Sequence, residues 1–270
     1  MKTSNRELTK QELFIQNHHK HQRQITSYRF ILLILFVVLW EISADLGWID
    51  SFFFSSPSRV ALLFLEMCME LSIFYHIGIT LLETIASFVL VFLISLAVST
   101  LLWYSRKLSE IAEPYLVVLN SLPKSALAPL LIVWLGTGTT TIIVAGISVA
   151  LFGSIISFYS SFKQCDPEKI TLIYTLGGNR QTAFRKVVLP GSIPTLISTT
   201  KVNIGLALVG VIIGEFLAAR CGLGYLIIYG SQVFRLNLVI LSILLLCIIA
   251  MGFYKGTQLA EKKIKQKINI

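Results

Sequence analysis

The residues able to do chemistry in this chain are few, and several of them interrupt apolar runs. Lys124, Lys201, Asn203 and Glu215, together with Glu83, stand among Leu, Ile, Val and Phe in stretches long enough to cross a bilayer. A charge at mid-bilayer costs about 2.5–3.5 kcal/mol on insertion scales, so such residues face a cavity or a neighbouring helix. Their chemistry is to receive a polar solute: the two lysines would suit an anion, with Glu83 and Glu215 nearly balancing their charge. Lys124, Lys201, Asn203 and Glu215 are the candidates for a translocation path. Metal chemistry is not indicated. Cys68, Cys165, Cys221 and Cys247 lack CxxC spacing, and read as single thiols. His18, His19 and His21 cluster in a polar stretch that reads as solvated. No GxxxxGK[ST] loop occurs, so the chain is expected not to hydrolyse ATP by itself.

The elements that carry these residues are membrane spans. Of 270 residues 55% are hydrophobic and 14% charged, with mean hydropathy +0.77, too little charge to coat a soluble globule. A net charge of +9 suits cytoplasmic loops facing anionic lipid better than nucleic acid in so apolar a chain. Six runs approach the roughly 20 residues that a spanning helix needs: Phe30–Trp48, Thr80–Tyr104, Tyr115–Leu135, Thr139–Phe162, Ile193–Leu217 and Leu236–Tyr254. The fold class is therefore all-α, a polytopic membrane protein with about six transmembrane helices. Expected boundaries are a polar, mobile N-terminal tail over 1–29, a transmembrane domain over 30–258 and a basic C-terminal tail over 259–270. With both termini cytoplasmic, eighteen of the 23 Lys and Arg fall in cytoplasmic segments, as the positive-inside tendency requires. The first run is read as an uncleaved helix, because its leading tail is long and mixed in charge.

One polar interruption is organised. Residues 163–191 form a loop between the fourth and fifth runs, and its sequence from Glu168 is EKITLIYTLGGNRQTAFRKVVLPGSIP. Asp166-Pro167 is an N-cap followed by Pro at the first helical position, with Glu168 in the first turn. Ile170, Ile173 and Leu176 recur at helical spacing. Gly177-Gly178 ends that helix, and Asn179 caps a second one with Ala183, Phe184, Val187 and Val188 on one side. Pro190 is expected to stop it, and Ser192 to cap the next span. The residues alone leave open an amphipathic elbow resting on lipid or a knob for a soluble partner.

This segment resembles the loop signature of the permease subunits of bacterial ABC importers: Glu-Ala-Ala, three residues, Gly, nine residues, then an aliphatic residue, any residue and Leu-Pro. Gly177 and Val187-Val188-Leu189-Pro190 stand at that spacing, whereas Thr171-Leu172-Ile173 replaces Glu-Ala-Ala. Three further stretches resemble the nitrate, sulfonate, taurine and bicarbonate branch of that family. They are SSPSRV from Ser55, LPKSALAPLLIVWLGTG from Leu122 and GEFLAARCGLGYLI from Gly214. The likeness runs from about Phe53 to Lys263.

The resemblance implies the type I ABC importer permease fold, a homodimer of permeases and a cytoplasmic coupling helix seated in a separate ATPase subunit. It implies no cofactor in this chain, with ATP and Mg bound by the partner ATPase, and a substrate-binding protein on the outer face. Thr171, Leu172 and Ile173 would lie on the helix inserted into the ATPase, and Gly177 at the turn. Arg180 would face an acidic groove residue or solvent, Phe184 would pack the elbow onto the permease, and Leu189-Pro190 would mark the joint to the fifth span. The cargo implied is a small anion such as a sulfonate, taurine or nitrate; relatives carrying thiamine-type pyrimidine precursors are similar here too. A secondary transporter is the competing class. It predicts paired broken helices or internal repeats and leaves the Leu-Pro elbow unexplained.

Overall fold

The computed structural model describes residues 10–50 and 54–268; residues 1–9 and the side chains of His18 and His19 lie outside them. It resolves into two units, divided between Leu62 and Leu63. In the first, α1 (Lys10–Asp45) leads to the start of α2 (Pro57–Met69). The Glu41 carboxylate accepts from the Ser58 backbone N–H at 3.0 Å, a charge-assisted bond at the N-terminus of α2. The stretch expected to be a mobile tail is helical from Lys10 onward.

The second unit carries α3 (Ser72–Tyr104), α4 (Arg106–Ser121), α5 (Lys124–Leu135), α6 (Thr139–Lys163), α7 (Pro167–Thr175), α8 (Arg180–Ala183), α9 (Leu189–Ala218), α10 (Leu223–Gln232) and α11 (Leu236–Ile268). Among the described residues five helical stretches are long and apolar enough to span a membrane, or six if the bent pair α4–α5 is one span. The run read as one span over Tyr115–Leu135 falls on the bent pair α4–α5, whose helices meet at 96°. The cause is Pro123, which pushes its predecessor out of helical geometry: Leu122 adopts φ −62°, ψ 140°. Lys124 then donates to the Asn120 carbonyl and so closes the end of α4. Within the stretch expected to be a basic C-terminal tail, α11 continues as helix to Ile268.

Lipid tails are as apolar as leucine, so helix association here relies on close packing and interhelical hydrogen bonds. The α6–α9 contact is the most extensive in the unit. A Cβ at Gly210 would lie 2.7 Å from the Gly146 Cα and 2.8 Å from the Ala145 carbonyl oxygen; one at Gly214 would lie 2.9 Å from the Ile142 Cα. On the other face of α6, Ser87 donates to the Ile143 carbonyl at 3.2 Å and Ser99 to the Ile155 carbonyl at 3.0 Å, fixing α3 in register. The small-residue run of α9 thus has a packing role at Gly210 and Gly214, but not at Gly205, around which there is open space. Gly210→Val is expected to wedge α6 from α9 and cost about 1–3 kcal/mol. Thermal unfolding of the detergent-solubilised protein should fall for Gly210→Val and stay unchanged for Gly205→Val; equal behaviour would contradict the packing.

Candidate functional site: the α7–α9 elbow and the Glu215 clamp

The elbow begins as its sequence dictates. Asp166 accepts from the Glu168 N–H at 2.9 Å, with Pro167 at the first helical position. After nine residues α7 ends in a Schellman arrangement, with the Gly178 N–H bonded to the Ile173 carbonyl at 2.8 Å and the Gly177 N–H to the Tyr174 carbonyl at 3.0 Å. This closure requires a left-handed residue at its centre, and Gly177 supplies it with φ +81°. Gly178 is needed for a different reason: a Cβ there would lie 2.8 Å from the Ile173 carbonyl oxygen. Asn179 then caps α8 through the Thr182 N–H at 2.8 Å.

From Arg180 the chain continues helical to Ala218, so Pro190 does not stop it. The physical reason is the π-helical turn Phe184–Val188 just before α9. The Leu189 N–H bonds back five residues to the Phe184 carbonyl, and Pro190 enters in the first turn of α9, where a missing N–H is tolerated. Ser192 is no cap either. It is buried, and its hydroxyl donates to the Val188 carbonyl at 2.8 Å.

The elbow is fixed to the bundle by aromatic packing. Phe184 is buried, with ring centroids 5.1 Å from Trp103, 5.5 Å from Tyr104 and 5.4 Å from Phe162. Val188 and Leu196 complete the cluster. The Arg180 guanidinium lies over the same rings, 5.2 Å from Trp103 and 5.9 Å from Tyr104, and donates to the Trp103 carbonyl at 2.8 Å. Arg180 therefore caps the C-terminus of α3, where a cation is favoured. Arg180→Lys keeps the charge but loses the planar stack, at a cost of about 1 kcal/mol. A slightly lowered unfolding temperature is expected for Arg180→Lys, with a larger drop for Arg180→Ala; identical melting of all three proteins would dispose of the latch.

What the packing leaves uncovered is the far side of α7. Thr171, Leu172, Tyr174 and Leu176 are exposed, Leu176 at 75%, while Ile170 and Ile173 are half-buried. Leu189 is half-buried and Pro190 exposed.

The four intramembrane candidates are not brought together. Lys124 serves Asn120, and Lys201 pairs with Glu261 on α11, both side chains being largely buried. Asn203 is buried, with its Nδ2 lacking a partner among the described residues. Glu215 is 1% exposed near the end of α9 and organises the α10 entry. Its Oε1 accepts from the Thr80 hydroxyl at 2.7 Å, and its Oε2 from the Gly224 N–H at 2.5 Å. Thr80 in turn accepts from the Leu223 N–H at 2.8 Å, and His76 Nδ1 from the Gly222 N–H at 3.0 Å. Glu215 thus satisfies the first N–H groups of α10, the group type that a helix start leaves unpaired. Sequence reasoning missed Thr80, His76, Trp103, Tyr104 and Glu261 as partners. The only sequence signals for them were the aromatic pair closing an apolar run and the CGLG glycines before α10.

Residues 91–258 match the family model described as the binding-protein-dependent transport system inner membrane component. A probable ABC transporter permease protein of Haemophilus influenzae is 30% identical, covering 83% of this chain and 91% of its own length. A riboflavin transport system permease protein of Chloroflexus aurantiacus is 28% identical over 86% and 87% of the two chains. A formylaminopyrimidine transport permease protein of Halalkalibacterium halodurans is 24% identical over 72% and 77%. Among solved structures, an inward-facing MetNI methionine ABC transporter chain superposes with TM-score 0.62 at 21% identity, over 74% of this chain and 97% of that one; this likeness shows the fold. With its Gly177 elbow and Leu189-Pro190 joint, the chain belongs to the binding-protein-dependent transport system inner membrane components, the permease subunits of ABC importers.

Proposed function

We propose that this chain forms half of the membrane path of an ATP-driven importer and couples to a separate ATPase subunit through α7. The observation that carries this reading is the exposed face of Thr171, Leu172, Tyr174 and Leu176 on a helix anchored behind by Phe184 and Arg180. An apolar face on a helix held rigidly at a polar elbow suits insertion into a groove of a soluble partner. Both termini and the elbow are cytoplasmic in this reading, and the Glu215 clamp lies toward the outer face, where a binding protein delivers cargo. A second copy of the chain completes the path. ATP and Mg bind the partner.

The test is a pull-down of the tagged protein from its native membrane, comparing wild type with Gly177→Asp. Nothing lies within 4 Å of a Cβ at Gly177, so this substitution acts through the left-handed backbone and the added charge on the elbow. An ATPase subunit is expected with wild type and not with Gly177→Asp. Absence of any ATPase from both, or its equal recovery with both, would overturn the coupling role proposed for α7.

For the cargo, the support lies with a small nitrogen-bearing solute over a bare anion. Anion binding at Lys201 would compete with its Glu261 ion pair, and one of the three donors of Lys124 already serves the Asn120 carbonyl. Taurine, which carries an ammonium group, and aminopyrimidines remain within this class; nitrate does not. Competition for uptake in the native cells, with taurine against methanesulfonate, separates the two.

A further inference from the structure

Glu83 is a strongly buried acid beside the clamp, and it accepts none of the clamp's hydrogen bonds from Thr80 and Gly224. It is 1% exposed on α3, with the Glu215 carboxyl and the Thr139 hydroxyl as its polar neighbours, and neither of its oxygens is in full hydrogen-bonding geometry with a partner among the described residues. Two buried carboxyls side by side are costly to keep, and a donor or counter-charge arriving from outside would relieve that cost. Glu83 lines a cavity of about 400 Å³ bounded by the start of α6 and the α9–α10 turn. Gly138 and Thr139 contribute the N-terminus of α6, where no side chain caps the backbone N–H groups. Arg220 and Cys221 close another side. The cavity therefore offers an acceptor at Glu83, and donors at the α6 N-terminus and Arg220.

We propose that this cavity is a selection site at the outer end of the path. It takes a small solute whose amino or ammonium N–H groups bond to Glu83 while an acceptor or anionic group meets the α6 N-terminus and Arg220. The proposal rests on the cargo reading above, and adds to it a place and a selecting residue. Glu215 is not that residue, because its oxygens are already committed to Thr80 and Gly224. A bare anion would bring no donor to Glu83 and would face the neighbouring Glu83 and Glu215 carboxyls together.

Cys221 is a native reporter, since it lines the cavity and is partly exposed. The full chain in lipid nanodiscs is alkylated with N-ethylmaleimide, and the rate at Cys221 is followed by mass spectrometry, with exposed Cys247 as the reference thiol. The probes are two matched pairs, taurine against methanesulfonate and 4-aminopyrimidine against pyrimidine. At about ten times Kd, occupancy slows alkylation about tenfold. Slowing at Cys221 but not Cys247 is expected with at least one amino-bearing probe, with its amino-free counterpart inert. Glu83→Gln should abolish the protection while leaving Cys247 alkylation as in wild type. Equal protection by both members of a pair, no protection by either amino-bearing probe, or protection that persists in Glu83→Gln would each overturn the proposal. Amino-selective uptake in cells without Cys221 protection would remove this site and leave the cargo reading standing.

Discussion

Phe184→Ala is expected to release the elbow from the bundle. The ring contacts three other aromatic rings from α3 and α6 and is 7% exposed. Its removal opens a cavity that flanking helices, held by Ser99 and by the α6–α9 glycines, cannot readily collapse. Truncating a buried Phe to Ala costs about 3–5 kcal/mol. The unfolding temperature of the solubilised protein should fall clearly, and ATP-driven uptake should fall with it. Leu176→Ala is the control, because Leu176 is 75% exposed and has no such packing to lose. Its unfolding temperature should match wild type, while uptake drops if the exposed face meets the ATPase. Wild-type stability of Phe184→Ala would mean that the aromatic cluster does not fix the elbow.

The second large effect is expected at Glu215. Glu215→Ala would strand the Thr80 hydroxyl and the Gly224 N–H, both buried. It would also empty the space against which Gly222 and Gly224 pack, since a Cβ at either glycine would meet the Glu215 side chain. Each stranded buried donor costs about 1–3 kcal/mol, so about 2–6 kcal/mol is lost. Glu215→Gln keeps the shape and one acceptor oxygen, so its loss should be smaller. Unfolding temperatures in the order wild type, Glu215→Gln, Glu215→Ala check this. A Glu215→Ala protein as stable as wild type would show that α10 is positioned without the clamp.

The local grammar of the elbow was legible because it is written in neighbouring residues. Asp166, Pro167, Gly177 and Asn179 act within a few positions of themselves, and their caps and turn are where the residue types require. Pro190 and Ser192 were misjudged for the opposite reason. Whether a proline ends a helix depends on the turn before it, and here a π-helical turn fitted to the aromatic cluster carries the chain through. Pro123 bent the third apolar run into α4 and α5; hydropathy alone does not register a 96° break between two apolar helices.

By itself the sequence determined that the chain is an all-helical membrane protein with an importer permease elbow, because apolar runs, caps and a spaced signature are properties of the linear order. The tertiary structure alone decided what the intramembrane polar residues do. Lys201 meets Glu261 across sixty residues of chain, Glu215 meets Thr80, and Glu83 faces both Glu215 and a cavity, while at the elbow Arg180 meets Trp103. The physical reason is that a buried polar group must find its partner wherever the helices bring one, and which helix faces meet is settled by packing at Gly146, Gly210 and Gly214.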